Sequence, residues 1–281
     1  MRCNAATPAF SRTADRTAAI KSRTPAILGS DIVADLVFYA RPTRIAPTHR
    51  IDVGEVRLAC YFERPFADAG TILHFHGNGE LASEYWSELA PVFLNAGLNV
   101  CFVDYRGYGA SDGPPNLIGQ LADNYRLVKE LGIAPERLIV YGRSLGSLFA
   151  TDLAHCYPGV AGLVLESSIA RLREDWPLTR EARQLGKTET ELEREVAEWF
   201  DNEAKLAGYR GDLLVLHAAN DWDLDRSHAD RLYAWCGSQR KKIVIFPQGD
   251  HNSILAVNKY AITEELGLLA ERTGLRHRHR F

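Results

Sequence analysis

Short apolar runs alternate with longer amphipathic stretches along this chain. Residues 56–65 (VRLACYFERP), 71–77, 98–107, 137–143, 160–168, 212–220 and 241–249 read as strands. Several, such as RLIVY and DLLVL, are continuously apolar, the pattern of strands covered on both faces, so the sheet is expected to be mostly parallel. Helical spacing fills the intervals. Leu81, Tyr85, Leu89 and Phe93 mark a helix over 81–96, and Leu117, Leu121, Tyr125 and Val128 one over 117–132; residues 145–157, 226–237 and 258–271 complete the set. Strand and helix in alternation predict right-handed crossovers and an α/β fold with a doubly wound sheet.

Residues 169–211 break this rhythm, because they are too long for a simple crossover. Thr188 and Glu191 have the spacing of a capping box, and Leu192, Val196, Trp199 and Phe200 follow at helix spacing. A helical cap inserted over the sheet's C-terminal edge, about residues 169–210, is expected. The body then spans 27–274, after a disordered leader (1–26) and before a solvated basic tail (275–281).

Composition narrows the class. A hydrophobic content of 46% supports a full-sized core, and a net charge of −3 argues against nucleic acid as a partner. The leader has no apolar core for a secretory signal, and no apolar run is long enough to span a bilayer. Five scattered cysteines, Cys3, Cys60, Cys101, Cys156 and Cys236, form no C-x-x-C pair and read as reduced thiols of a cytoplasmic protein.

The pattern G-x-S-x-G occurs twice, at Gly109–Gly113 and at Gly142–Gly146. A nucleophile turn requires a strand before it and a helix directly after it. Ser144 follows RLIVY and precedes a proline-free stretch with small residues at Gly146, Ser147, Ala150 and Ala154. Ser111 is followed by Gly113-Pro114-Pro115, where no helix can begin at once. Ser144 is therefore the expected nucleophile.

A serine hydroxyl needs a base, and the base an orienting acid. His251, on the loop after the last strand, suits the base. Asp221, Asp223 and Asp225 compete for the acid, and Asp221 stands nearest the end of its strand. The oxyanion of acyl transfer needs two preorganised N–H donors. Leu145 is one candidate, and Asn78 in the loop His76-Gly77-Asn78-Gly79-Glu80, with Gly79 as alternative, is the other. His74 and His76 are expected to brace this loop by hydrogen bonds rather than to ligate a metal.

The motifs HFHGNGE, VDYRGYGASDG, VYGRSLGS, HAANDWDLD and GDHNSI stand in the order seen in α/β-hydrolases. From about residue 36 to the last helix the chain resembles their serine-aminopeptidase-like and monoacylglycerol-lipase-like branch. That resemblance implies a triad of Ser144, Asp221 and His251, with Asn78 and Leu145 as oxyanion donors. In two places the chain departs from the family pattern: Ala218 stands where a glycine is common, and Leu224-Asp225 where Val-Pro is common. Both bear on the choice among the aspartates.

The expected activity is cleavage of an ester, thioester or amide in a small-molecule acyl substrate, without cofactor or metal. Acyl transfer by the same triad and non-catalytic binding on a hydrolase scaffold are the alternatives. Trp176, Leu178, Trp199 and Phe200 in the cap either line an apolar acyl pocket or pack the cap onto the body.

Overall fold

The computed structural model describes residues 25–277. The expected leader, apart from Pro25 and Ala26, and the last four residues of the tail lie outside the described residues, as does Cys3.

Eight strands form one sheet: β1 His49–Asp52, β2 Arg57–Glu63, β3 Thr71–Phe75, β4 Asn99–Val103, β5 Leu138–Arg143, β6 Gly162–Glu166, β7 Asp212–Ala218 and β8 Lys241–Phe246. Their spatial order is β1-β2-β4-β3-β5-β6-β7-β8. β1 and β2 pair antiparallel and β2 meets β4 antiparallel; from β4 through β8 every pairing is parallel.

The continuous apolar runs supply both faces. In β5, Leu138 and Val140 join one core cluster while Ile139 and Tyr141 join the other; in β7, Leu213 and Val215 oppose Leu214 and Leu216. Each fully buried residue of this size contributes about 1.5–3 kcal/mol, so the two clusters together hold the helices to the sheet. The first face carries α3 (Leu117–Leu131) and α4 (Gly146–Cys156), and the second α2 (Ala82–Asn95) and α11 (Lys259–Arg272). Asn116 caps α3, accepting from Gly119 N at 2.7 Å, and Gly132 ends it at φ 63°.

Two of the elements beyond the expected set show why the sequence pattern misses them. β1 is a polar edge strand, HRID, almost wholly exposed, so it carries no hydrophobic periodicity to read. Helix α1 (Asp31–Val37), capped by Ser30, has only seven residues.

Between β6 and β7 lies the cap: α5 Leu172–Asp175, α6 Thr179–Gln184, α7 Glu189–Phe200 and α8 Asn202–Ala207. The capping box opens α7, with Glu191 N donating to Thr188 Oγ1 (3.2 Å) and Thr188 N to Glu191 Oε2 (2.9 Å). Leu178, Trp199 and Phe200 are buried in the same cluster as α4, so they pack the cap onto the body; Trp176 is half-buried against it. A buried ion pair adds a polar anchor, Lys205 Nζ lying 2.7 Å from Asp152 Oδ1 on α4. After α9 (Arg226–Trp235), β8 leads through the short α10 (Ile254–Val257) into α11. The first residues of the basic tail are tied down: Leu275 is buried, and His277 donates its amide to Gly97 O and stacks on Phe66.

Candidate active site

The two G-x-S-x-G matches have different surroundings. Ser144 sits at φ 48°, between the end of β5 and the start of α4, in a left-handed conformation that costs a non-glycine residue energy. The flanking glycines are sterically required. A Cβ on Gly142 would lie 2.6 Å from Gly146 O, and one on Gly146 would lie 2.2 Å from Phe75 O, a backbone atom of β3. Ser111 sits in the loop after β4 and its hydroxyl is fully engaged, donating to Asp104 O (2.9 Å) and accepting from Ala59 N (2.8 Å).

Two loops, at the C-terminal ends of β7 and β8, bring distant residues to Ser144 at the end of β5. Its Oγ is 3.0 Å from His251 Nε2, and His251 Nδ1 is 2.9 Å from Asp221 Oδ2. The other oxygen of Asp221 accepts from Leu224 N (2.9 Å) and Asp223 N (3.1 Å). Burial works to raise the Asp221 pKa, but the bonds from His251 and Leu224 N outweigh it and hold the carboxyl below its usual value. The other two aspartates stand elsewhere. Asp223 is exposed, and Asp225 caps α9, accepting from Ser227 N at 2.7 Å.

Directly after Ser144 in the chain, Leu145 N lies at the first turn of α4, where a helix leaves its N–H groups without intrahelical acceptors. The loop after β3 is held by the Asn78 side chain. Its Oδ1 accepts from Tyr39 N (2.8 Å) and Tyr108 Oη (2.6 Å), and its Nδ2 donates to Val37 O (2.5 Å). With the side chain pinned at both ends, the Asn78 backbone is fixed. Among the described residues neither Leu145 N nor Asn78 N donates to a protein acceptor.

The two histidines before this loop behave differently from each other. His76 Nδ1 donates to Gly77 O at 2.7 Å, and burial pulls its pKa down to about 4. Among the described residues His74 has no hydrogen-bond partner at either ring nitrogen, which corrects the expectation that it braces the loop. It is instead an aromatic core residue, with ring centroids 4.4 Å from Tyr85 and 4.9 Å from Tyr141, and burial drives its pKa well below the ordinary value.

Sequence reasoning passed over three charged residues around the site. Arg143, the x before Ser144, is buried. Its Nη1 lies 2.5 Å from Glu80 Oε1, its Nε 3.5 Å from Glu166 Oε1, and its Nη2 donates to His251 O at 2.6 Å. A buried arginine with two carboxylate partners leaves no periodic signal, since each partner comes from another strand end. A cavity of about 230 Å³ among the cap helices and Trp235 of α9 is lined by Leu172, Val196 and Phe200 as well, and its walls do not include Ser144 or His251.

Comparison with known proteins gives the chain its family. The chain matches the family model of serine aminopeptidase, S33, over residues 67–210. It is 30% identical over 204 residues to the alpha/beta hydrolase domain-containing protein aho-3 of Caenorhabditis elegans, covering 70% of this chain and 57% of that protein. It is 28% identical over 210 residues to the human alpha/beta hydrolase domain-containing protein 17B, covering 73% and 68%. The chain thus spans little more than half the length of its nematode relative. Among solved structures, the Pyrococcus furiosus esterase Pf2001 superposes with TM-score 0.62 at 18% identity, covering 83% of this chain and 97% of that one. The haloalkane dehalogenase DbeA of Bradyrhizobium elkani superposes with TM-score 0.63 at 15% identity, covering 80% and 98%. At such identities the likeness is one of fold, whereas the family model matches the sequence itself: this chain belongs to the serine aminopeptidase (S33) family of the α/β-hydrolases.

Proposed function

We propose that the protein is a serine hydrolase that cleaves an ester, thioester or amide of a small-molecule acyl substrate through an acyl-enzyme on Ser144. The observation that carries this reading is the unbroken chain of hydrogen bonds from Ser144 Oγ through His251 to Asp221. Asp221 keeps the Nδ1 proton on His251, so Nε2 is free to accept the proton of Ser144 as Oγ attacks the substrate carbonyl. Negative charge then develops on the carbonyl oxygen, where Leu145 N–H and Asn78 N–H act as donors; one such donor is worth about 2.7–4 kcal/mol of barrier. His251 passes its proton to the leaving group, and a water molecule, deprotonated by the same imidazole, releases the acid. Four buried cysteines that form no disulfide among the described residues, Cys60, Cys101, Cys156 and Cys236, support a reducing compartment such as the cytoplasm.

A fluorophosphonate probe tests the assignment. Wild type is expected to be labelled and Ser144→Ala to be blank, with turnover of p-nitrophenyl esters falling by about 10⁴-fold or more. Equal labelling of the two proteins would overturn it.

A further inference from the structure

We propose that Arg143 is a positioning residue, a single guanidinium that holds the base loop and the oxyanion loop in register with Ser144. The inference rests on the assignment of Ser144 and His251 made above and adds the part that aligns them.

Arg143 reaches three segments far apart in sequence. Nη2 donates to the backbone carbonyl of His251 at 2.6 Å and lies 3.4 Å from Asn252 Oδ1, so it holds the main chain that carries the base. Nη1 pairs with Glu80 Oε1, and Glu80 relays the contact through Oε2, which accepts from Gly77 N at 2.6 Å and from Tyr85 Oη at 2.9 Å. Gly77 immediately precedes Asn78, so the brace ends one residue from the second oxyanion donor. Nε faces Glu166, whose backbone oxygen accepts from Ser144 N at 3.0 Å and whose carboxylate also takes a bond from Tyr141. The guanidinium sits directly against Gly77, where a Cβ would lie 2.3 Å from Arg143 Nη1.

Burying one guanidinium with two carboxylates is expensive, and apolar side chains of equal volume often stabilise a fold as well or better. The brace is therefore not needed for cohesion alone, and what distinguishes it is where it ends. Its bonds stop at the main chains of the two loops that must meet at the substrate carbonyl, while Arg143 itself touches none of the reacting atoms. Lysine cannot replace it, because a point charge on a flexible stem cannot span three directions as a planar fork does.

The test compares wild type, Arg143→Lys, Arg143→Ala and Glu80→Gln as full-length chains. Ser144-dependent fluorophosphonate labelling of the wild type against Ser144→Ala first decides the underlying assignment. Relative to wild type, Arg143→Lys is expected to lose about 10²-fold in kcat with KM nearly unchanged, the size of effect that follows from a displacement of about 1 Å. Millimolar guanidinium is expected to restore part of the Arg143→Ala rate and none of the Ser144→Ala rate. Glu80 is half-buried, so Glu80→Gln keeps the fold if the Arg143 variants do not, and it is expected to lower kcat about tenfold. Hydrogen exchange reads the brace without reference to activity: residues 76–80 and 250–254 are expected to exchange faster in Arg143→Lys and Glu80→Gln, with the rest of the sheet unchanged. A folded Arg143→Lys with wild-type kcat, or unaltered exchange in both loops in these two variants, would overturn the proposal.

Discussion

The chain carries the same pentapeptide pattern twice, with opposite outcomes. At Gly142–Gly146 the glycines let two strands and a helix approach until only hydrogen atoms fit between them, and Ser144 is left in a left-handed turn with its hydroxyl toward His251. At Gly109–Gly113 the glycines serve a loop that bridges to residues 41–43, and Ser111 spends its hydroxyl tying that loop to β2 and to Asp104. The glycines of G-x-S-x-G thus report room for a sharp backbone. Whether the serine between them is free to react depends on what the neighbouring strand ends supply.

The largest effect that separates the two regions should come from the acid. Asp221→Asn keeps the shape of the site but disturbs the tautomer of His251, and a fall of about 10⁴-fold in kcat is expected, as for the equivalent change in a serine protease triad. Steady-state kinetics on any ester the wild type turns over would show it, and a loss below tenfold would place the orienting acid elsewhere. Next come the last glycines of the two pentapeptides. Gly146→Ala drives a methyl into the backbone oxygen of Phe75, whereas Gly113→Ala meets only Val56 Cγ1, at 2.7 Å, and the strain of its φ of 76°. The left-handed strain costs about 1–2 kcal/mol. Gly146→Ala is expected to lower Tm well beyond that or to prevent folding, and equal melting temperatures would contradict the contrast.

Ser111→Ala sharpens it from the other side. Two partners lose their bonds, so a destabilisation of about 1–3 kcal/mol is expected in denaturant unfolding, with the Ser144 labelling rate within about twofold of wild type. A labelling rate that fell with Ser111 would mean the loop matters to the reaction. The smallest effect is a change of slope at Asp104, which a Cβ on Gly109 would strike. Burial pushes the Asp104 carboxyl up to about 7, while its usual value is 3.8. Between those values the native state holds more protons than the unfolded chain, so this group makes stability fall as pH rises. His76, held near 4 against a usual 6.5, does the opposite between about 4 and 6.5, because there the unfolded chain holds the extra proton. Asp104→Asn removes the first effect and leaves the second. The urea midpoint, followed from pH 4 to 6.5, is expected to climb more steeply than in wild type; an unchanged slope would mean Asp104 is ionised across the range.

Much of the frame was legible along the chain because the signals are local. A buried parallel strand needs apolar residues on both faces, and RLIVY or DLLVL announces that within a few positions. The strand before Ser144 and the small-residue helix after it likewise set it apart from Ser111 without any tertiary contact, and Thr188 with Glu191 marked the start of the longest cap helix. Elements without such a signal, the polar strand His49–Asp52 and the short helix Asp31–Val37, appear only in the folded chain.

What only the tertiary structure decided are pairings between distant positions. Asp221, Asp223 and Asp225 are chemically alike and two residues apart; the turn after β7 aims the first at His251, exposes the second and spends the third on a helix cap. The cap aromatics looked equally suited to a pocket or to packing; Trp199 is buried in the core of the body, while Phe200 both joins that core and walls the cavity among the cap helices. His74 lies on a strand face whose apolar neighbours come from three other segments, so its lack of hydrogen bonds could not be read locally. Arg143 stands beside the most legible residue in the chain, yet its partners Glu80, Glu166 and His251 lie on three other strand ends. Sequence periodicity records which face a residue turns toward the core. It carries no information on which loops the crossovers bring together, and the site is built from those loops.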